Sequence, residues 1–288
     1  MRRVSLAGRA AHGLLALVVT SALCGSARAA DTYTIHENLH VGQKALYVVN
    51  YDYKVKSTAT TNGVSTATDT ESGSSWKVTL TIQDAKEGSS VRSLAEFDPA
   101  SFDSARNAGG PETKTPCPFA GKSIVLTRHP DDSVNNDFPA KAGDDDISLL
   151  NNFITPDEQY YPDNPVAVGD TWDDSVKCAK YTPMGPKDRL ISKGQLDWVK
   201  IIDGKQMAHT THSVAVVYHE DGNVEEDVEF TVTQLIDVAA GVIVKCDEKG
   251  SSKYTTPPTE PTQVTGGTEF TFQAEALPAA PAAAATKP

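Results

Sequence analysis

The sequence predicts an all-β fold: an antiparallel meander, curved sheet or sandwich of about nine or ten strands, with one short helix in mid-chain. Three observations carry this. Apolar and polar residues alternate with period two through most of the chain, the signature of strands with one face buried. Turn residues such as Asn62-Gly63 and Asp221-Gly222 sit between the alternating stretches and join neighbours by short connections, which makes them antiparallel. No stretch after the first thirty residues is apolar enough to cross a bilayer as a helix.

Residues 1–30 read as an export signal. Arg2, Arg3 and Arg9 make a basic start, Leu14 to Leu23 an apolar run, and Ala27-Arg28-Ala29 a cleavage site with small residues. The run is too short to span a membrane, and the residues before Cys24 do not suit lipid attachment, so a soluble periplasmic or secreted protein is expected. Arg2-Arg3-Val4-Ser5-Leu6 is a partial twin-arginine signal, and the polar Ser5 favours the general secretion route.

From Ala45 to Val55 the odd positions Ala45, Tyr47, Val49, Tyr51, Tyr53 and Val55 share one face, which predicts a half-buried strand. Trp76, Val78, Leu80 and Ile82 repeat the pattern beyond a turn at Thr61-Asn62-Gly63, and another strand begins at Ser123. Asp144-Asp145-Asp146 places negative charge where a helix begins, with Ile147, Leu150 and Phe153 along one side. The Pro-rich stretch Thr155 to Pro165 follows. A single domain over 31–276 is expected, in two halves that meet near residues 140–165.

Further on, Val224, Val228, Phe230, Val232 and Ile236 face one way, and Glu225, Asp227, Glu229 and Thr231 the other. A three-residue loop Glu220-Asp221-Gly222 keeps the parity, and pairs Tyr218 with Val224, Val214 with Val228 and His212 with Phe230. Ala239-Ala240-Gly241 turns into Val242 to Lys249, and Glu269 to Glu275 is a last strand. The Ala/Pro stretch 277–288 has nothing to bury and is expected to be disordered.

Without the leader the chain has 22 basic and 38 acidic residues, a formal charge of −16. That balance argues against nucleic acid and against simple adsorption to anionic lipid. Cys117, Cys178 and Cys246 remain after cleavage, enough for one bridge in an oxidising compartment. Parity favours Cys178 with Cys246, each on the apolar side of its own expected strand. Cys117 with Cys178 is the alternative.

His36-Glu37-Asn38-Leu39-His40 matches H-E-x-x-H, in which a helix presents two imidazoles to zinc and the Glu polarises a bound water. Here it follows β-favouring Thr32-Tyr33-Thr34-Ile35 and precedes Gly42. On a strand His36 and His40 would share a face while Glu37 pointed away. The extended motif's Gly and third His positions hold Gln43 and Leu46. Gly121-Lys122-Ser123 looks like the end of a phosphate loop, but Pro116 stands at its first glycine and a strand follows. No G-x-S-x-G is present. His209, His212 and His219 do not share one place on a strand: His212 belongs to the core face, stacked on Phe230, and the other two to the surface. The acidic groups at 131–137 and 144–146 lack calcium-loop spacing.

Pro165-Val166-Ala167-Val168-Gly169-Asp170-Thr171-Trp172 resembles a P-V-x-V-G-D-x-W segment of a family of secreted bacterial β-rich proteins without assigned function. The resemblance implies an extracytoplasmic β protein and carries no catalytic residues. Gly169-Asp170 would then turn tightly into a strand with Trp172, Val176 and Cys178 facing inward together. The expected function is a non-catalytic envelope binding or scaffolding module without a cofactor, whose partner is a small apolar ligand or an envelope protein. The alternative is a zinc-dependent hydrolase using His36, Glu37 and His40.

Overall fold

A computed structural model describes residues 31–87, 89–107, 109–129, 134–138, 158–182, 184–220, 224–256 and 261–277. The leader, the helix expected from Asp144 to Phe153 and the Ala/Pro tail lie outside the described residues. Fifteen strands are found among those described, more than the nine or ten expected, together with one short α-helix and a 3-10 turn at Glu158–Tyr160. The long ones are β2 (Lys44–Thr61), β3 (Val64–Lys86), β4 (Ser89–Phe97), β11 (Arg189–Ile202), β12 (Lys205–Glu220), β13 (Val224–Asp237), β14 (Val242–Thr255) and β15 (Thr262–Leu277). The short ones are β1 (Thr32–Tyr33), β5 (Phe102–Asn107), β6 (Thr113–Pro116), β7 (Ser123–Arg128), β8 (Val134–Asn136), β9 (Val166–Ala167) and β10 (Thr171–Asp173). Most of the excess is in pieces of two to six residues, too short to show a period.

Thirteen strands form one antiparallel sheet in the order β10-β11-β12-β13-β14-β15-β2-β3-β4-β7-β8, with β5 and β6 attached beside β3. β1 and β9 make a separate pair. The last strand, β15, hydrogen-bonds to β2 over its whole length, from Thr262 opposite Thr61 to Leu277 opposite Leu46. Strands from before and after residues 140–165 thus share one sheet.

Alternation decides which face is inner. Val49, Trp76, Val78, Leu196, Val214, Val216, Val232, Ile236 and Cys246 are buried, whereas Glu225, Asp227, Glu229 and Lys249 are exposed. Two core clusters lie on the inner face. In one, Ile35, Tyr160, Tyr161, Val166 and Cys178 cover β11 to β14. In the other, Trp76, Phe97 and Phe119 pack edge to face over β2 to β4 and β7. Beyond Ser57 the β2–β3 hairpin changes character: Ser, Thr and Ala predominate, most side chains are exposed, and Asn62 and Gly63 turn it with positive φ.

The hairpin around Gly222 keeps the expected parity but pairs differently. Glu220 stands opposite Val224, Val216 opposite Val228, Val214 opposite Phe230 and His212 opposite Val232. The loop is therefore residues 221–223. Because the shift moves each residue's partner by two positions, no side chain changes face.

The one described helix, α1 (Ser175–Tyr181), stands where a strand was expected. Val176 is consequently 82% exposed instead of facing inward with Trp172. Cys178 does reach the core, but from a helix one turn past Asp174, so the strand-parity reason for joining it to Cys246 fails. Both are thiols in this structure, as is Cys117, and all three are buried. Burial pushes the Cys178 thiol up to about 12, which leaves almost no thiolate to be oxidised. Leader-free protein is expected to give no reaction with a thiol reagent at pH 8 when folded and three thiols when unfolded. A count of one on unfolding would instead report a bridge.

Candidate functional site

The P-V-x-V-G-D-x-W segment builds one candidate place. Gly169, with φ of 93°, and Asp170, whose carboxylate accepts from Ala167 N at 2.8 Å, turn the chain from β9 into β10. β10 then lays Trp172 directly opposite Gly194 of β11. A Cβ at Gly194 would lie 2.3 Å from the indole, so glycine is what lets the ring lie flat on the strand. From there Trp172 meets the edge of His212 at 5.4 Å and donates from Nε1 to Tyr160 O at 3.2 Å.

His212 is wholly buried and is the hub of a polar network. Its Nδ1 lies 3.1 Å from Asp174 Oδ2 and its Nε2 3.2 Å from Thr210 Oγ1, which in turn approaches Gln234 Oε1 at 3.4 Å. The ring packs on Tyr160 at 4.9 Å, and not on Phe230 as expected, because Phe230 pairs one row away with Val214. Asp174 precedes α1 in the N-cap position but makes no cap bond, since its side chain is turned to His212. Its other oxygen, Oδ1, is buried without a hydrogen-bond partner. A recess of about 440 Å³ opens beside this network, with Tyr161, Val166, Trp172, Asp173, Asp174 and Lys177 in its wall.

A second place is the inner face over β12 to β2. Opposite residues in an antiparallel sheet point the same way, so the register defines rows. One row runs Val214, Phe230, Gly250, Phe270, Tyr53, and the next runs His212, Val232, Glu248, Phe272, Tyr51. Phe230 and Phe270 approach to 6.0 Å across Gly250, where a Cβ would meet Phe230 at 2.4 Å and Phe270 at 2.5 Å. Tyr51 stacks on Tyr53 at 6.2 Å. Phe230, Phe270, Phe272, Tyr51 and Tyr53 are only half-buried, although they stand on the face whose other residues make the core.

Glu248 lies in the middle of these aromatics and makes no hydrogen bond or ion pair with the described residues. Burial alone pushes its carboxyl up to about 7, yet part of its surface stays open, as for a group at the bottom of a recess. The folded value lies above the roughly 4.3 of an unfolded chain, so the folded protein holds a proton that the unfolded chain has lost between those two values. Stability should therefore fall as pH rises from about 4.3 to about 7, by on the order of 3–4 kcal/mol, and level off above. Glu248→Gln should abolish that slope in urea unfolding followed across the range. An unchanged slope would place the carboxyl in water.

A groove of about 1180 Å³ crosses the sheet from β11 to β3. Lys193, Thr231, Lys249, Glu229, Glu269 and Lys54 line it, together with Ile191, Val214, Phe230, Phe270 and Tyr53. Lys54 pairs with Glu71 at 2.7 Å, and Glu71 also with Arg106.

The zinc-hydrolase residues have a structural place. Residues 34–40 belong to no helix or strand, so His36 and His40 lack the shared helical face the motif needs. Glu37 approaches Arg128 of β7 at 3.7 Å, with both side chains mostly buried. Gly241, with φ of 59°, packs its Cα against the backbone of His36 to Asn38, and Asn38 donates to Ala239 O at 3.1 Å. No group of three or more His, Cys, Asp or Glu that could hold a metal occurs among the described residues. His209 is tied to Asp197 at 2.8 Å and stacked on Trp198, and His219 lies 3.5 Å from Asp188, so the histidines stand apart as the alternation required. Ser123 opens β7, so a strand does follow Gly121-Lys122.

No protein-family model matches the chain, and no curated protein sequence does. Among solved structures it is similar to lipovitellin, in a structure titled for its lipid–protein interactions, with 10% identity, a TM-score of 0.46 and coverage of 86% of this chain and 27% of that one. The chain thus spans about a quarter of the lipovitellin chain's length. It is also similar to an outer membrane channel from Pseudomonas putida (9% identity, TM-score 0.25, 84% and 98% covered). A third is a DUF1329 family protein from Desulfovibrio piger (8% identity, TM-score 0.15, 77% and 83% covered). No helix among the described residues is long and apolar enough to cross a membrane.

Two groups in these places were not singled out in the sequence. Glu248 had a signal, since it shares the inward parity of Cys246 in a strand where polar residues should face out. Asp174 had none, because its partner is 38 residues away.

Proposed function

We propose that the protein is an exported, non-catalytic binding protein of the cell envelope that holds an apolar ligand against the inner face of its sheet. The observation that carries this is the set of half-buried aromatics, Tyr51, Tyr53, Phe230, Phe270 and Phe272, on two adjacent rows of a face that otherwise forms core. Apolar surface held partly open costs about 25 cal/mol for each Å² left in water, and a ligand that covers it recovers that energy.

The test is a titration of leader-free protein with N-phenyl-1-naphthylamine, a neutral apolar dye that brightens out of water. Saturable binding is expected, and Phe270→Lys should weaken it by about tenfold while thermal unfolding shows the variant still folded. Dye binding that survives both Phe270→Lys and Phe230→Lys, or no saturable binding at all, would contradict the reading.

A further inference from the structure

The recess beside α1 is independent of the aromatic rows and has a chemistry of its own. Tyr161, Val166 and Trp172 give it an apolar and aromatic wall, and Val176 stands exposed at its rim. Three carboxylates, Asp163, Asp173 and Asp174, share the wall, and Asp163 is paired with Lys177. Asp173 is held below the usual carboxylate range by hydrogen bonds from the Ser175 side chain and backbone, so it is an anion at neutral pH. Asp174 is nine-tenths buried and more, and its Oδ1 accepts nothing, a shortfall that native proteins seldom leave. Of the two lysines, Lys177 is already engaged, with Nζ donating to Tyr161 O at 2.8 Å and pairing with Asp163 at 2.5 Å. Lys180 sits at the exposed edge.

We propose that this recess is a binding site for a small organic ammonium ion. The carboxylates supply the counter-charge, the aromatic wall supplies cation–π attraction, and an ammonium N–H is the donor that Asp174 lacks. A volume of about 440 Å³ suits a molecule of small-metabolite size. A metal ion fits less well, because the described residues offer no cluster of three ligands there. An anion would meet three carboxylates, against Lys177, which is already paired with Asp163, and Lys180.

Calorimetric titration of leader-free protein with n-butylammonium, beside the neutral 1-butanol of similar shape, tests this. The ammonium should bind saturably in the millimolar range or tighter, and the alcohol at least tenfold more weakly. Asp173→Asn and Val176→Lys alter only exposed positions, and each should weaken butylammonium by about five- to tenfold without changing the alcohol. Equal binding of the two compounds, no binding of the ammonium up to tens of millimolar, or variants that bind as wild type would each overturn the proposal. Uptake of N-phenyl-1-naphthylamine at the aromatic rows should be the same in both variants, which separates this site from the apolar one.

Discussion

Replacing His212 by leucine should destabilise the protein by about 3–5 kcal/mol, because it strands the buried Asp174 carboxylate and removes the partner of Thr210. Desolvation is the reason for the size: the His212 side chain is fully buried and that of Asp174 almost so, and neither oxygen of Asp174 would then have a donor. The double variant His212→Leu with Asp174→Leu should recover part of the loss, since two apolar residues leave no buried charge unpaired. Urea unfolding of the wild type, both single variants and the double gives the coupling directly. A loss below about 1 kcal/mol for His212→Leu would mean that water reaches the pair.

The second large effect is expected at Gly241. A methyl group there would lie 2.0 Å from His36 O and 2.5 Å from Asn38 N, both backbone atoms that cannot swing aside, and the residue also has positive φ. Gly241→Ala should cost about 3–5 kcal/mol, or fold only after residues 36–38 move away. Gly204 provides the control, with φ of 77° and nothing within 4 Å of an added Cβ, so Gly204→Ala should cost only about 1 kcal/mol. The difference between the two isolates the contact with the His36–Asn38 segment. Equal losses would show that this segment does not rest on the β13–β14 turn.

How much of this was legible in the sequence differs by region. Val228, Phe230 and Val232 face inward and Glu225 and Glu229 outward, as period two required, because burial of one face imposes that period on any strand beside a core. The Thr-rich half of the β2–β3 hairpin gave no such signal: with both faces in water there is nothing for an alternation to encode. The register of the β12–β13 hairpin was missed by two positions because loops of equal length and parity satisfy the same pattern. α1 was missed since Ser175–Tyr181 is shorter than two turns and has Val176 outside and Cys178 inside, which a strand parity rule also permits for one of the two. The zinc motif was legible as letters only. Its neighbours Thr34-Ile35 and Gly42 pointed to the extended path that Glu37 takes toward Arg128.

The candidate sites depend on contacts across the sheet, which a linear reading reaches only in part. The rows Phe230-Gly250-Phe270-Tyr53 and Val232-Glu248-Phe272-Tyr51 exist because β15 returns to pair with β2, a closure between residues more than two hundred positions apart. Each strand showed its aromatic residues; their alignment over Gly250 came only with the register.

Native mass spectrometry of the protein purified from its own host, beside Phe270→Lys prepared in the same way, tests the central claim most directly. The wild type should carry an apolar molecule, released by organic solvent and absent from the variant. A folded wild type that emerges empty and takes up no N-phenyl-1-naphthylamine would contradict it.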